Sequence, residues 1–394
     1  MTLDDIKAQD SASLMPTYGR FDIAIDHGHG ATAVDTDGRE YIDFGSGIGV
    51  NSLGYCDVGW VAAVSRQAAS LQHISNLYYT PVQTAFAAQL CEIAGMGRAF
   101  LCNSGAEANE CAIKLARKHS FDTRGEGHST IIGLRNSFHG RTLTTLSATG
   151  QDVFHQYFFP FTEGFVFAEP GDLGSLSALA DDTCCAVMLE CVQGEGGVVA
   201  LDFDYLRAVE ALCRERGLLL IIDEVQTGAG RTGKFLACEH AGLHPDIVTL
   251  AKGLGGGLPV GACLCTQALS GVMSTGMHGS TFGGNPVVCA AGQYVLSRVA
   301  QPAFLDEVTA KGAKLHRRIK EMPNVRETRG LGMMIGIVPE NGSSREIAEA
   351  CLKEGLLILT AKTLLRLLPP LTITQEEMDK GLTILENVMT KYAG

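Results

Sequence analysis

The chain has 394 residues, 46% hydrophobic and 19% charged, with 47 glycines and a formal net charge of −12. This composition excludes disordered, collagen-like and coiled-coil chains, and an acidic chain without a basic block is a poor partner for nucleic acid or an anionic membrane. No run of about 18 apolar residues is present to span a bilayer.

Thirteen cysteines, none in C-x-x-C spacing, do not read as a disulfide framework. The opening MTLDDIKAQD is acidic where a secretory signal is basic and then apolar. A reducing cytoplasm is the simplest expectation.

Along the chain, residues 33–42 predict a β-hairpin that turns at Asp37-Gly38. His27 and His29 flank a glycine in an expected turn and receive no role. Residues 60–95 carry helical periodicity, broken near Pro81. Apolar runs then follow at 99–102, 130–133, 186–189, 218–222 and 247–251, separated by amphipathic stretches such as 106–119 and 203–216. Continuous apolar strands alternating with helices predict an α/β fold, a mostly parallel sheet covered on both faces. Beyond about residue 290 the pattern becomes α+β, with helices expected at 303–321, 343–355 and 375–391 and strands at 333–338 and 365–368. The expected division is an N-terminal segment 1–55 packing with the small domain, a large domain 56–289 and a small C-terminal domain 290–394.

Parallel α/β sheets bind ligands beyond the carboxyl ends of their strands, which directs attention to Ser104-Gly105-Ala106, Glu190, Asp223 and Lys252. Lys252 is the only Asp, Glu, Lys or Arg between residues 247 and 297. Burial lowers a lysine pKa, and a neutral amine is a nucleophile for carbonyl carbon; the other reading is a lysine whose amine snorkels to water. Asp223 follows a fully aliphatic run. It suits a metal, a sugar hydroxyl, a protonated ring nitrogen or a helix cap. The two are 29 residues apart, near the length of one β-α-β unit, which places them on neighbouring strand ends. Ser104 and Glu107 fit a capping box at the start of a helix, a ready phosphate site. Together these are the protein parts that pyridoxal phosphate needs.

Other patterns are weaker. Gly228-Ala229-Gly230-Arg231-Thr232-Gly233 matches G-x-G-x-x-G, but five residues separate it from the strand it should follow. The same stretch is one residue short of a Walker A loop, and Phe235 stands where a magnesium-binding Ser or Thr belongs. Cys238, His240 and His244 lack an evident fourth metal ligand.

At these residues the chain resembles the class III pyridoxal-phosphate aminotransferases, from Phe21-Asp22-Ile23-Ala24 to Leu365-Arg366-Leu367-Leu368-Pro369-Pro370-Leu371. The matching motifs are Asn103-Ser104-Gly105-Ala106-Glu107-Ala108-Asn109-Glu110, Ser137-Phe138-His139-Gly140-Arg141-Thr142, Gln193-Gly194-Glu195-Gly196-Gly197, Asp223-Glu224-Val225-Gln226, Ala251-Lys252-Gly253 and His278-Gly279-Ser280-Thr281-Phe282-Gly283-Gly284-Asn285-Pro286. The pattern departs at 54–61, where the family commonly has Gly-His-x-His-Pro, and at Cys191, where proline is usual.

The resemblance implies fold type I with pyridoxal 5'-phosphate as cofactor. It implies that Lys252 carries the cofactor and shuttles the proton, and that Asp223 pairs with the ring nitrogen. Gln226 would bond the ring oxygen and Phe138 would stack on the ring. Ser104, Gly105 and Ala106 would hold the phosphate, with Thr281 supplied by the other subunit of a homodimer that shares its active sites. Ser280 would lie near the substrate. Arg141 would hold the donor's α-carboxylate, and Arg366 would take the second carboxylate of 2-oxoglutarate when Glu195 releases it; arginine's fork suits both tasks. The implied amino donor is N2-acetylornithine, with ornithine, succinylornithine, 4-aminobutyrate or another ω-amine as the alternative.

Overall fold

The computed structural model describes residues 1–393. Helix α1 (Leu3–Ser13) is followed by strands β1 (Ile25–His29), β2 (Thr32–Asp35) and β3 (Glu40–Asp43). The expected hairpin is β2–β3, with Thr32 opposite Ile42. His27 and His29 are not in a turn: they lie on β1, which pairs with β2. Helices α2 (Val58–Ala68) and α3 (Pro81–Ala94) follow. Pro81 starts a helix rather than interrupting one, because its missing N–H is surplus in a first turn.

The large sheet comes next: β4 (Arg98–Cys102), helix α4 (Gly105–Arg124), β5 (Thr130–Leu134), β6 (Phe165–Ala168), β7 (Cys184–Leu189), helix α5 (Phe203–Arg216), β8 (Leu219–Asp223), β9 (Ile247–Leu250) and β10 (Gly261–Cys265). The seven strands lie in the order β4-β10-β9-β8-β7-β5-β6. Every predicted apolar run is a strand of this sheet. Alternate side chains feed two cores. Ile132, Val187, Leu189, Ile222 and Val248 belong to one; Ile131, Ala186, Met188, Ile221 and Ile247 belong to the other. Both faces are therefore buried, as continuous apolar strands require.

Two strands of this sheet were not expected. β10 runs antiparallel to both β9 and β4, and its Gly-Ala-Cys-Leu-Cys sequence has no β-branched residue to signal it. β6 closes the far edge, parallel to β5. The connection from β8 to β9 also differs from a β-α-β unit. It is a run of turns with one 3-10 helix at Ala237–Ala241, although the two strands are parallel neighbours as expected.

Helix α6 (Pro286–Val299) packs on α2 and α3. The C-terminal region then forms α7 (Pro302–Lys320), β11 (Val325–Leu331), β12 (Met334–Pro339), α8 (Ser344–Lys353), β13 (Leu356–Leu357), β14 (Leu359–Ala361), β15 (Leu364–Leu367) and α9 (Gln375–Lys391). Capping boxes at Ser343 and Thr374 set the starts of α8 and α9. Four strands make an antiparallel sheet, β11-β12-β15-β14. β13 instead joins the N-terminal sheet, parallel to β3, with Leu356 opposite Ile42. No helix of the described residues is long and apolar enough to cross a membrane.

Candidate active site

The adjacency of β8 and β9 brings Asp223 and Lys252 to one cavity of about 450 Å³. Ser104, Gly105, Ala106, Phe138, Arg141, Glu195 and Gln226 also line it. Arg366 stands directly behind Glu195 and Gln226.

The floor is a buried hydrogen-bond network around Asp223. Its Oδ2 accepts from His139 Nδ1 and Asn109 Nδ2, each at 2.8 Å, and its Oδ1 accepts the Val225 N–H at 2.9 Å. Asn109 also donates to the His139 carbonyl at 2.7 Å and accepts from the Thr249 hydroxyl at 2.7 Å. A carboxylate has about four acceptor positions, so one remains for a ligand N–H. Burial opposes charge on His139, but the Asp223 carboxylate outweighs it and holds the imidazole pKa above its ordinary value. Glu190, at the end of β7, accepts the Phe138 and Gly194 N–H groups at 2.9 and 3.2 Å, and burial raises its pKa.

Among the described residues the Lys252 amine has no hydrogen-bond or ion-pair partner. Burial lowers its pKa from the usual lysine value, an effect that the nearby Glu195 opposes only in part. Its backbone is left-handed, with φ +43°.

At the other end of the cavity, Ser104 caps α4 by accepting the Glu107 N–H at 3.2 Å. The reciprocal half of the expected capping box is altered: Glu107 takes the Asn103 N–H at 2.9 Å and the Ser104 hydroxyl at 3.0 Å. A Cβ at Gly105 would stand 2.7 Å from Val225 Cγ1, so only glycine allows this close approach.

The wall is ionic. Arg366, on β15, donates from one guanidinium nitrogen to Glu195 Oε1 and, at 3.2 Å, to Gln226 Oε1. Gln226 Nε2 donates back to Glu195 at 3.4 Å. Burial works against charge on Glu195, yet Arg366 prevails and holds its pKa below the usual carboxylate value. Arg366 Nε is buried without a partner among the described residues. Arg141 is exposed at the mouth, its guanidinium 5.5 Å from the Phe138 ring centre and 4.2 Å from that of Phe154.

Besides Arg366, two expected residues lie outside the cavity of their own chain. Ser280 reaches it indirectly, its hydroxyl accepting from Asn103 Nδ2 and from the Gly283 N–H, each at 3.0 Å. Thr281 is exposed beside Asn76 and Gln83 in a separate crevice. Sequence reasoning gave no role to His139, Asn109 or Glu190. The sequence marks Glu190 as the end of an apolar run, as it does Asp223, but the partners of Glu190 are tertiary and give it no role in advance. Asn109 lies four residues after Gly105, hence on the same helix face.

The weaker patterns find structural duties. The 228–233 stretch is a turn-rich loop with Arg231 and Thr232 buried. His240 Nε2 bonds to Thr232, and no metal-binding cluster is found among the described residues.

The family model described as aminotransferase class-III matches residues 14–389. An acetylornithine aminotransferase from Haemophilus ducreyi is 51% identical over 393 residues, 99% of this chain and all of that one. The ornithine aminotransferase of Toxoplasma gondii ME49 has a TM-score of 0.95 at 32% identity, over 99% of this chain and 96% of that one. That enzyme has also been described with partial occupancy of PLP at its active site. N-acetylornithine aminotransferase from Stenotrophomonas maltophilia K279a has a TM-score of 0.84 at 34% identity, over 98% of both chains. Fold, cavity and full-length similarity agree, and this chain belongs to the class-III aminotransferases.

Proposed function

We propose that the chain transfers the terminal amino group of N2-acetylornithine to 2-oxoglutarate, leaving N-acetylglutamate 5-semialdehyde and glutamate, as arginine biosynthesis requires. The observation that carries this reading is an unpartnered, partly desolvated Lys252 beside Asp223, with a cationic wall at Arg366 and a free Arg141 at the mouth.

The cofactor of this family is pyridoxal 5'-phosphate, and the cavity residues fit it. Gly105 leaves no room for a Cβ where α4 begins, and a helix start favours a phosphate. Asp223 keeps one acceptor position for a protonated ring nitrogen. When bound, the cofactor supplies the electron sink that acidifies the donor carbon.

The chain's residues do the rest. Ser104, Gly105 and Ala106 hold the phosphate, Phe138 covers the ring, and Gln226 orients it. Lys252 Nζ, favoured as the neutral amine by burial, anchors the group and moves the proton of the donor carbon. Arg141 binds the donor's α-carboxylate. While Glu195 pairs with Arg366, the far side of the cavity presents no free cation. A dicarboxylate acceptor displaces Glu195 and takes both arginines.

We infer a homodimer in which Thr281 completes the other copy's phosphate site. The exposed Leu77, Tyr78, Tyr79 and Phe282 support this, since an apolar patch of this kind marks a contact surface. Ser280 is assigned next to the substrate through its bond with Asn103. A cytoplasmic location is supported by the thirteen cysteines, all free. We keep the division 1–55, 56–289 and 290–394. The β3–β13 pairing supports grouping the N-terminal segment with the small domain, whereas the second boundary falls inside α6, a continuous helix that joins the two domains.

One titration tests the donor. N-acetylornithine is added to the purified, cofactor-loaded protein without keto acid, with ornithine and 4-aminobutyrate in parallel, and the visible absorbance is followed. Bleaching by N-acetylornithine at the lowest concentration is expected. Bleaching first by another amine replaces the donor, and a protein that never takes up a coloured cofactor overturns the reading.

A further inference from the structure

Arg231 is a buried guanidinium without a carboxylate partner among the described residues. Its Nη1 donates to two backbone carbonyls of the C-terminal region, Met333 at 3.3 Å and Pro369, and its own carbonyl accepts the Met333 N–H at 3.0 Å. Among the described residues its Nη2 has no partner, and burial lowers its pKa to about 9 against the weaker pull of Asp43. Leaving an arginine in such a place is costly, so what it joins matters.

One end of the clamp is the loop that follows Gln226. The other end holds both sides of Arg366. Pro369 lies three residues beyond Arg366 on the same strand exit, and Met333 immediately precedes β12, where Gly336 is the register partner of Arg366. The two segments touch without intervening side chains: a Cβ at Gly332 would stand 2.5 Å from the Thr232 backbone.

We propose that Arg231 is a positioning residue for the distal-carboxylate subsite, setting the strand that bears Arg366 at its distance from Gln226 and Glu195. This rests on the transamination reading above and extends it to a residue outside the cavity. Of the two functional arginines, Arg141 then serves both half-reactions and Arg366 only that of the acceptor. The donor's α-carboxylate is met at Arg141, on a loop that Arg231 does not touch. The acceptor's second carboxylate is met at Arg366, whose placement the clamp controls. A small displacement of a binding group is enough for a large loss.

The test compares wild type, Arg231→Met and Arg231→Lys in the two half-reactions, each followed by the visible absorbance of the loaded enzyme. For Arg231→Met we expect the KM for 2-oxoglutarate to rise about tenfold or more, with the donor's KM within about twofold. Lysine keeps several donors but not the planar fork, and Arg231→Lys is expected to recover part of the loss. If Arg231→Met does not fold, the split is read on Arg231→Lys, with about half the logarithmic change. Equal losses in both half-reactions, or none in either, overturn the role of Arg231 alone. A wild type that does not use 2-oxoglutarate overturns the transamination reading, and this proposal with it.

Discussion

The floor and the wall of the cavity are built by different means. Asp223, Asn109 and Thr249 come from adjoining elements of one sheet-and-helix layer, and their bonds to one another and to His139 are short and buried. Glu195, Gln226 and Arg366 come from three separate segments and meet mainly through side chains. A floor of this kind fixes charge in place once the sheet folds. A wall of this kind can exchange one partner for another, which an enzyme alternating between two substrates requires. Floor changes should therefore remove chemistry and stability, and changes to the Arg366–Glu195 pair of the wall should act on one substrate.

The largest effects fall on Lys252, which stands over the floor, and on the floor itself. Lys252→Ala should lower steady turnover by at least about a thousandfold, and near-wild-type rates in that variant would refute its assignment. Asp223→Ala should weaken cofactor retention. It should also cost about 3–5 kcal/mol of stability in urea unfolding, because His139 and Asn109 lose a buried acceptor. An unchanged urea midpoint would show that the floor is not the rigid half.

At the wall, Arg366→Met should raise the KM for 2-oxoglutarate roughly ten- to a hundredfold while the donor half-reaction changes little. Comparable damage to both half-reactions would erase the contrast between floor and wall.

The smallest effect is a pH profile. The Lys252 pKa lies below that of an ordinary lysine, so its free-amine fraction grows as pH rises through that lowered value. The rate at which apoprotein captures pyridoxal phosphate should rise with pH and level off below the usual lysine pKa, about 10.5. A rate still climbing there would mean that burial does not tune this amine.

The same contrast explains what was legible. Asp223 and Lys252 could be read because each ends an aliphatic run and the parallel sheet brings strand ends together. The two-sided cores could be read from the same runs. β10 could not, since Gly261-Ala262-Cys263-Leu264-Cys265 is small and lacks β-branching, and its direction depends on partners distant in the chain. Arg366 lies in a short apolar strand, and only the family resemblance singled it out. His139 was quoted within a motif without a role, because a histidine's partner is a tertiary fact. The Glu107 carboxylate differs from the expected cap by one residue, a choice that side-chain reach settles after the backbone is set.

The pairing of β3 with β13 ties events in synthesis to each other. β3 ends at Asp43, and its partner strand begins at Leu356, roughly 300 residues later. At about 5–20 residues per second, a ribosome needs on the order of 15–60 s to make the interval. During that time Tyr41, Ile42 and Phe44, all buried in the finished protein, have neither β13 nor the α9 glycine, Gly381, against which the Phe44 ring packs. The first sheet to leave the ribosome is thus among the last to be completed. A chain that stops early exposes the apolar edge that holdase chaperones and proteases recognise, so the fold itself reports whether its translation was finished.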